Sequence, residues 1–580
     1  MRFIIGASGS GKTTFAYKKI IESSLKEKEA EFIILVPEQY TMQTQKDIVK
    51  LHPFRASLNI DVTSFNRLAY RVFKELGIKC PDILDDIAKA IIIRKLALEN
   101  IQKLSIWKKQ FSKPGFIDEM KSMISELYQY GINIEDIINI KDNVKAGNIL
   151  NQKLEDLEVI YDSFREFIAR KYITAEEIPN IFYDNIHRSR LIKNSYILLD
   201  GFTGFTPVQY KIIDGFLDYS KGVECTVCIG SGEENLYKFS DTELFAMGKT
   251  IIKKIGESAA GKHIETKIHD LNKKYKENEL RPRFKAAAEI DFLERHFLRY
   301  DRIKSRQSEE NIKLIKAVST EEEVSAVCSN ILHLVKEEAM RYKDIAVITA
   351  EPALYSGKIK KHFELNNIPY FMDKNISLED NALVEFIRAA FLLMSSNYSY
   401  DAVMRYIRTG FVCSDLRLES LMDNYMLACG IRGYKKMKSS WDYLPYSLEG
   451  INLHELNEFK DNILNGLEGF HKLWHKRKFN LAGIFDSFIL LMESLEIRKK
   501  MSDLSELFEA EGLIEKTREY EEAYAAVLEL FEKIKNLLED EAINKNELID
   551  IIDAGLGEIR VGIIPAKVDR VIIGDLKRSR

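Results

Sequence analysis

The sequence is poor in proline, cysteine and tryptophan, with 11, 6 and 3 of them among 580 residues. So few prolines leave long stretches free to be helical, because an interior proline removes a helix hydrogen bond and clashes with the preceding turn. The six cysteines (Cys80, Cys225, Cys228, Cys328, Cys413, Cys429) are too scattered for a disulfide framework, and a reducing cytoplasm is the expected compartment. The one close pair, Cys225 and Cys228, falls in the alternating run Val223 to Ile229. That run predicts a strand with its two thiols on opposite faces, both as plain buried cysteines. No apolar run approaches the ~20 residues of a membrane span, so no membrane is expected as a partner. There is no excess of positive charge either: with a net charge of -4, any nucleic-acid surface must be a local patch. A disorder signature is also missing, since 46% hydrophobic and 30% charged residues suit a globular chain with several buried cores.

What is present starts at the first residue. The short apolar run Met1-Arg2-Phe3-Ile4-Ile5 leads into Gly6-Ala7-Ser8-Gly9-Ser10-Gly11-Lys12-Thr13, which fits the P-loop pattern G-x-x-x-x-G-K-[ST] at every required position. Gly6, Gly9 and Gly11 permit backbone conformations closed to other residues, so successive N–H groups can turn around phosphates. Lys12 then neutralises the terminal phosphates, Thr13 offers its hydroxyl to Mg²⁺, and the helix that follows points its positive end at the same anion. ATP with Mg²⁺ is therefore the expected ligand of Gly6, Ala7, Ser8, Gly9, Ser10, Gly11, Lys12 and Thr13. A P-loop also needs a carboxylate on the metal side, and Asp200 supplies it at the end of the strand-like Ile197-Leu198-Leu199.

Along the chain, strand-then-helix units alternate: Phe3 to Ile5, Phe32 to Val36, and Ile60 to Val62 leading into a helix from Ser64 to Leu76. This predicts a parallel sheet covered by helices. From Ile83 to Phe182 strands vanish, and they resume at Ser195 to Leu199 and Val223 to Ile229. A second α/β unit is expected to open with a strand at Ile312-Lys313-Leu314-Ile315 and to continue with strand Ile345 to Ile348. A second helical stretch runs from about Asn397 to Asn546, and strand character returns at Ile559 to Ile563 and Arg570 to Gly574.

The fold class expected is α/β: two P-loop or RecA-like parallel-sheet domains, each with a large helical insertion. The boundaries are 1–80 and 190–305 for the first, 81–189 for its insertion, 306–396 and 556–580 for the second, and 397–555 for its insertion. The second sheet is unfinished at Arg580, so a longer protein is expected.

Three groups that a motor needs are missing. Gly201 stands after Asp200 where a motor helicase carries the glutamate that activates water. With the P-loop strand opening at Met1, no upstream segment with an adenine-reading glutamine is expected. Ala350 follows the strand Ile345 to Ile348, where an arginine finger would stand. Nucleotide binding with weak or no hydrolysis is the expectation, and no catalytic residue is assigned.

Taken in order, these segments resemble the AddB subunits of bacterial AddAB helicase–nucleases. They are the P-loop, Leu35-Val36-Pro37-Glu38-Gln39-Tyr40-Thr41-Met42-Gln43, Val62 to Val72, Leu199 to Gln209, and the terminal Gly574-Asp575-Leu576-Lys577-Arg578-Ser579-Arg580. The resemblance implies a superfamily one helicase-like body with a decayed motor, acting with AddA as a heterodimer on double-strand DNA ends during recombinational repair. It further implies scanning of single-stranded DNA for the Chi signal. A nuclease domain, and the cysteines of a [4Fe–4S] cluster, would lie beyond residue 580.

DNA contacts can also be argued from the residues. Gln39 and Thr41 follow one strand, Phe65, Arg67 and Tyr70 another, and Phe202 and Phe205 a third, all at carboxyl ends where open sheets present ligands. Aromatic stacking with basic groups on phosphates is how single strands are held. Phe65, Tyr70 or Phe205 could instead fill the sheet–helix core, which makes Arg67 and Phe202 the stronger candidates for strand contact. Two other readings of the P-loop remain: a stand-alone NTPase or small-molecule kinase that does not act on DNA, and a scaffold that no longer binds nucleotide.

Overall fold

The structure, a computed structural model, describes all residues except 57, 80, 112, 145–147, 170, 234, 276–278, 300–302, 305–310, 373–375, 449–450, 478–479, 540–542, 563–568 and 577–580. Cys80, Ile563 and the terminal Lys577 to Arg580 therefore lie outside the described residues. The chain divides into two compact units.

The first unit comprises Met1–Leu84, Ser122–Ala146 and Arg165–Leu314. Its strands are β1 (Arg2–Gly6), β2 (Glu31–Leu35), β3 (Ile60–Thr63), β4 (Asp82–Leu84), β5 (Tyr172–Thr174), β6 (Ser195–Leu199), β7 (Gly222–Cys228) and β8 (Lys267–Asp270). Six of them form one sheet in the order β3-β2-β6-β7-β1-β8, with every neighbouring pair parallel. Alternate side chains go to opposite faces, and both faces are buried. Phe3, Ile5, Ile33, Leu35, Ile197 and Leu199 pack on one side. Ile4, Phe32, Ile34 and Leu198 pack on the other. This is why the central strands β1, β2 and β6 read as apolar runs.

Helices α1 (Lys12–Lys26) and α2 (Thr41–Leu51) cover the second face. The first face is covered by α3 (Phe65–Leu76) and the helices Ile178–Asn185, Pro207–Tyr219 and Ala246–Gly261. Ser64 caps α3 by accepting from the Arg67 N–H, and Gly77 ends it in the left-handed conformation at φ 65°. β4 and β5 pair as a separate two-stranded parallel sheet, within the stretch expected to be free of strands.

The second unit comprises Asp85–Lys121, Gly147–Phe164 and Ile315–Arg580. The stretch expected as one insertion, 81–189, is thus divided between the units. Helix α4 (Asp86–Glu99) belongs to the second, where Ile91 joins the helical core of Phe386, Phe391, Phe470, Trp474, Phe488 and Phe531. Strands β9 (Ala346–Thr349), β10 (Tyr370–Met372), β11 (Ile376–Ser377), β12 (Arg560–Val561) and β13 (Val571–Asp575) complete the set. β10, β13 and β9 make a three-stranded parallel sheet with the helices Thr320–Lys336 and Pro352–Leu365 against it. β11 and β12 pair antiparallel.

The expected strand at 312–315 does not form. Leu314 is 99% and Val318 93% exposed in an irregular segment that pairs with no described strand, so its apolar residues have no sheet face to cover. The chain is therefore α/β, with parallel sheets and many helices, and among the described residues no helix is long and apolar enough to cross a membrane.

Candidate functional site

The loop between β1 and α1 turns on Gly9 and Gly11, both left-handed at φ 75° and 86°, a region that side chains rarely enter. At Gly9 a Cβ would also lie 2.6 Å from the Phe284 ring. Gly11 caps α1, so Lys12 and Thr13 occupy its first turn.

Thr13 Oγ1 donates to Asp200 Oδ1 at 3.2 Å. Asp200, 1% exposed at the end of β6, also accepts from the Tyr17 hydroxyl at 2.9 Å and from the Thr226 hydroxyl on β7. Lys12 Nζ donates to Ala7 O at 2.9 Å, folded back over the loop. Burial lowers the Lys12 pKa from its ordinary value, and the nearby Cys228, Asp200 and Glu294 only partly oppose this. An anion bound beside Lys12 would restore the stability of its charge.

The next residue, Gly201, is left-handed at φ 81°. The chain turns sharply there, so the position that carries a water-activating glutamate in a motor is here given to a turn that favours glycine.

One wall of the loop is invisible in sequence. Asn272 Oδ1 accepts the Ala7 N–H at 2.8 Å while its Nδ2 donates to Ile229 O and Gly230 O, at 3.1 and 3.2 Å. The Tyr275 hydroxyl donates to Ser10 O at 3.4 Å. Buried Arg281 donates to Ser8 O at 2.9 Å and pairs with Asp291 and Glu294, each at 2.5 Å. Phe284 packs against Gly9 with the Arg281 guanidinium 5.2 Å from its ring centre. In sequence the charged stretch 273–283 carries no spacing or motif that announces contacts made on tertiary closure.

β3, β2 and β6 are neighbours in the sheet, so the segments leaving their carboxyl ends lie side by side. Gln39 is exposed in a short 3-10 turn, Glu38–Tyr40. Arg67, 59% exposed, pairs with Glu38 at 3.5 Å and so ties the second segment to the first. Tyr70 is 41% exposed beside Phe73. Phe202 and Phe205 are half-buried, their ring centres 4.8 Å apart. Two of the expected contact residues are not presented in this way. Thr41 is buried with its hydroxyl on Glu38 O at 2.9 Å, and Phe65 is buried against Phe202, Phe205 and Phe216. Phe65 thus acts as a support for the two rings in front of it.

Of the close cysteine pair, Cys225 is buried, whereas Cys228, at the carboxyl end of β7, is exposed, so the expectation of two buried thiols holds only for the first. Among the described residues no cluster of three or more His, Cys, Asp or Glu side chains is arranged to hold a metal.

The family profile described as "ADDB, N-terminal" matches residues 3–294, half of the chain, and takes in the loop, Asp200 and most of its wall. The chain belongs to the AddB family. Similar proteins named as subunits of an ATP-dependent helicase/deoxyribonuclease occur in Lachnoclostridium phytofermentans (34% identical), Acetivibrio thermocellus (30%) and Clostridium novyi (28%). Each similarity covers 100% of this chain and 51%, 51% and 50% of the relative. The chain thus spans about half the length of these curated relatives.

Proposed function

We propose that this chain is the nucleotide- and DNA-binding body of an AddB-type subunit, which works with an AddA partner in an ATP-dependent helicase–exonuclease at double-strand DNA ends. The observation that carries the reading is the meeting of Thr13 and Asp200 beside Lys12, next to a left-handed Gly201. A hydroxyl and a carboxylate side by side at the foot of a P-loop are the donor set that suits Mg²⁺ with a triphosphate. Thr13 and Asp200 would hold the ion, whose chemistry is to neutralise phosphate charge, while Lys12 and the loop hold the phosphates. With Gly201 in place of a base, the chain binds ATP and hydrolyses it slowly or not at all.

Single-stranded DNA lies across the carboxyl ends of β3, β2 and β6 in this reading. Gln39 and Arg67 contact the strand, Phe202, Phe205 and Tyr70 offer ring faces, and Thr41 and Phe65 support them from below. Recognition of Chi during processing for recombinational repair is the use proposed for this surface. The second unit is a decayed RecA-like domain with its own helical insertion. The nuclease, and cysteines for a [4Fe–4S] cluster, belong to the length that the relatives have beyond this chain. The complex acts in the cytoplasm, on the nucleoid.

Binding of a fluorescent oligothymidylate to the chain tests the DNA surface. Arg67→Ala and Phe202→Ala should each weaken binding roughly five- to tenfold, in line with ~1–3 kcal/mol per stacked base. Unchanged affinity in both would remove this surface from the proposal.

A further inference from the structure

Tyr17 lies between the two sites of this reading. It follows Thr13 by four residues on α1, so both face the same side of the helix. Its ring is 2% exposed, packed in the core with Ile4, Phe32 and Ile34. Its hydroxyl donates to Asp200 Oδ2 at 2.9 Å and lies 3.4 Å from Thr44 Oγ1. Thr44 is itself 2% exposed, in the first turn of α2, the helix that begins at Thr41 and follows directly on the turn Glu38–Tyr40.

A phenol has one proton to give. Toward an ionised Asp200 the bond is charge-assisted and the stronger of the two, which leaves Thr44 as a donor to the phenolic oxygen. Asp200, if it also held a cation, would be a weaker acceptor for the phenol, because the cation would draw on the carboxylate's electron density. The phenolic proton can then turn to Thr44, whose own hydroxyl must find another acceptor, and the backbone carbonyl one turn back, at Tyr40, is the acceptor that a helical threonine usually takes. That rearrangement acts on the turn that carries Gln39 and Glu38, and Glu38 in turn holds Arg67.

We infer that the Tyr17 hydroxyl, with Thr44, is a positioning pair that couples occupancy of the nucleotide–Mg²⁺ site to the affinity of the Gln39–Arg67 surface for single-stranded DNA. The inference rests on the nucleotide and DNA sites proposed above. It adds a specific buried link between them, and a reciprocal one: by linkage, DNA must change nucleotide affinity by the same factor.

The test measures oligothymidylate affinity of the full 580-residue chain with and without ATP and Mg²⁺, in the wild type, Tyr17→Phe and Thr44→Val. The wild type should show a shift of about fivefold or more, the lower range of allosteric coupling. Tyr17→Phe removes one oxygen and keeps the ring in its core. It should stay folded and bind each ligand alone, with a melting temperature lowered by the loss of one buried hydrogen bond, but show a shift below about twofold, and Thr44→Val should match it in that shift. A wild-type-sized shift in Tyr17→Phe overturns the inference, as does a wild type that binds both ligands independently. A wild type that fails to bind ATP or the oligonucleotide on its own overturns the underlying reading instead, before any coupling is measured.

Discussion

The Thr13 hydroxyl and the Asp200 carboxylate meet at 3.2 Å although 187 positions separate them in the chain. The sheet order brings this about. β1 and β6 are not adjacent, but β7 lies between them, and its Thr226 also donates to Asp200. Three strands therefore converge on one buried carboxylate at the mouth of the P-loop.

Asp200→Asn keeps the shape and removes the charge. ATP affinity in Mg²⁺ should fall to the level measured in EDTA. Thr13, Tyr17 and Thr226 would then donate to a neutral amide, so the change should also cost roughly 1–3 kcal/mol of stability. Calorimetric titration and urea denaturation read the two effects. An affinity that still depends on Mg²⁺ would mean that Asp200 serves the fold alone.

Gly201→Glu places a carboxylate where a motor carries its base. Because φ there is 81°, the substitution should cost about 1–2 kcal/mol and yield no gain in ATP turnover. A variant that hydrolyses ATP briskly would show that the turn adapts and that only the side chain was missing.

Glu558, at the end of the helix Lys545–Glu558, offers a pH test in the second unit. Burial pushes its carboxyl up to about 7 from 4.5; a hydrogen bond with Asp118 adds to the rise and Lys121 opposes it. Asp118 sits below its ordinary value, its burial outweighed by hydrogen bonds from Glu558 and Lys121. The folded protein holds the Glu558 proton more tightly than the unfolded chain. The stability it contributes is therefore full below about 4.5 and lost as pH rises through about 7. His471, lowered by burial to about 4 from 6.5, acts in the opposite sense, losing stability as pH falls through that range. The difference between wild type and Glu558→Gln isolates the carboxyl. Unfolding free energies from urea denaturation across this range should fall with rising pH by about 1–3 kcal/mol more in the wild type than in the variant.

The parts of the fold that are legible in sequence are those where physics is local. β1, β2 and β6 are largely buried on both faces and appear as apolar runs, β7 appears as an alternating one, and Gly6 to Thr13 carries its chemistry in consecutive residues. β8, at the sheet edge, reads Lys-Ile-His-Asp, mostly exposed, and carries no such signal. The run Ile312 to Ile315 misleads for the converse reason: it has the composition of a strand, but a strand exists only if a neighbour pairs with it. At the site, Lys12, Thr13 and Asp200 are legible from motif and strand end. Asn272, Arg281, Phe284 and Thr226 are not, since their role comes entirely from what the closed fold places beside them. Thr41 and Phe65 lie on the segments expected to face DNA, but one hydroxyl satisfied by Glu38 and one ring surrounded by three others keep them inside.

In the function proposed, this chain binds a nucleotide through its P-loop without running as a motor. The measurement that tests it most directly is ATP affinity and turnover of the chain, with and without single-stranded DNA, beside Lys12→Ala. ATP should bind in Mg²⁺, Lys12→Ala should weaken that binding tenfold or more, about 1.4 kcal/mol or above, and turnover should be negligible and not raised by DNA. Robust DNA-stimulated hydrolysis, or ATP affinity indifferent to Lys12, would contradict it.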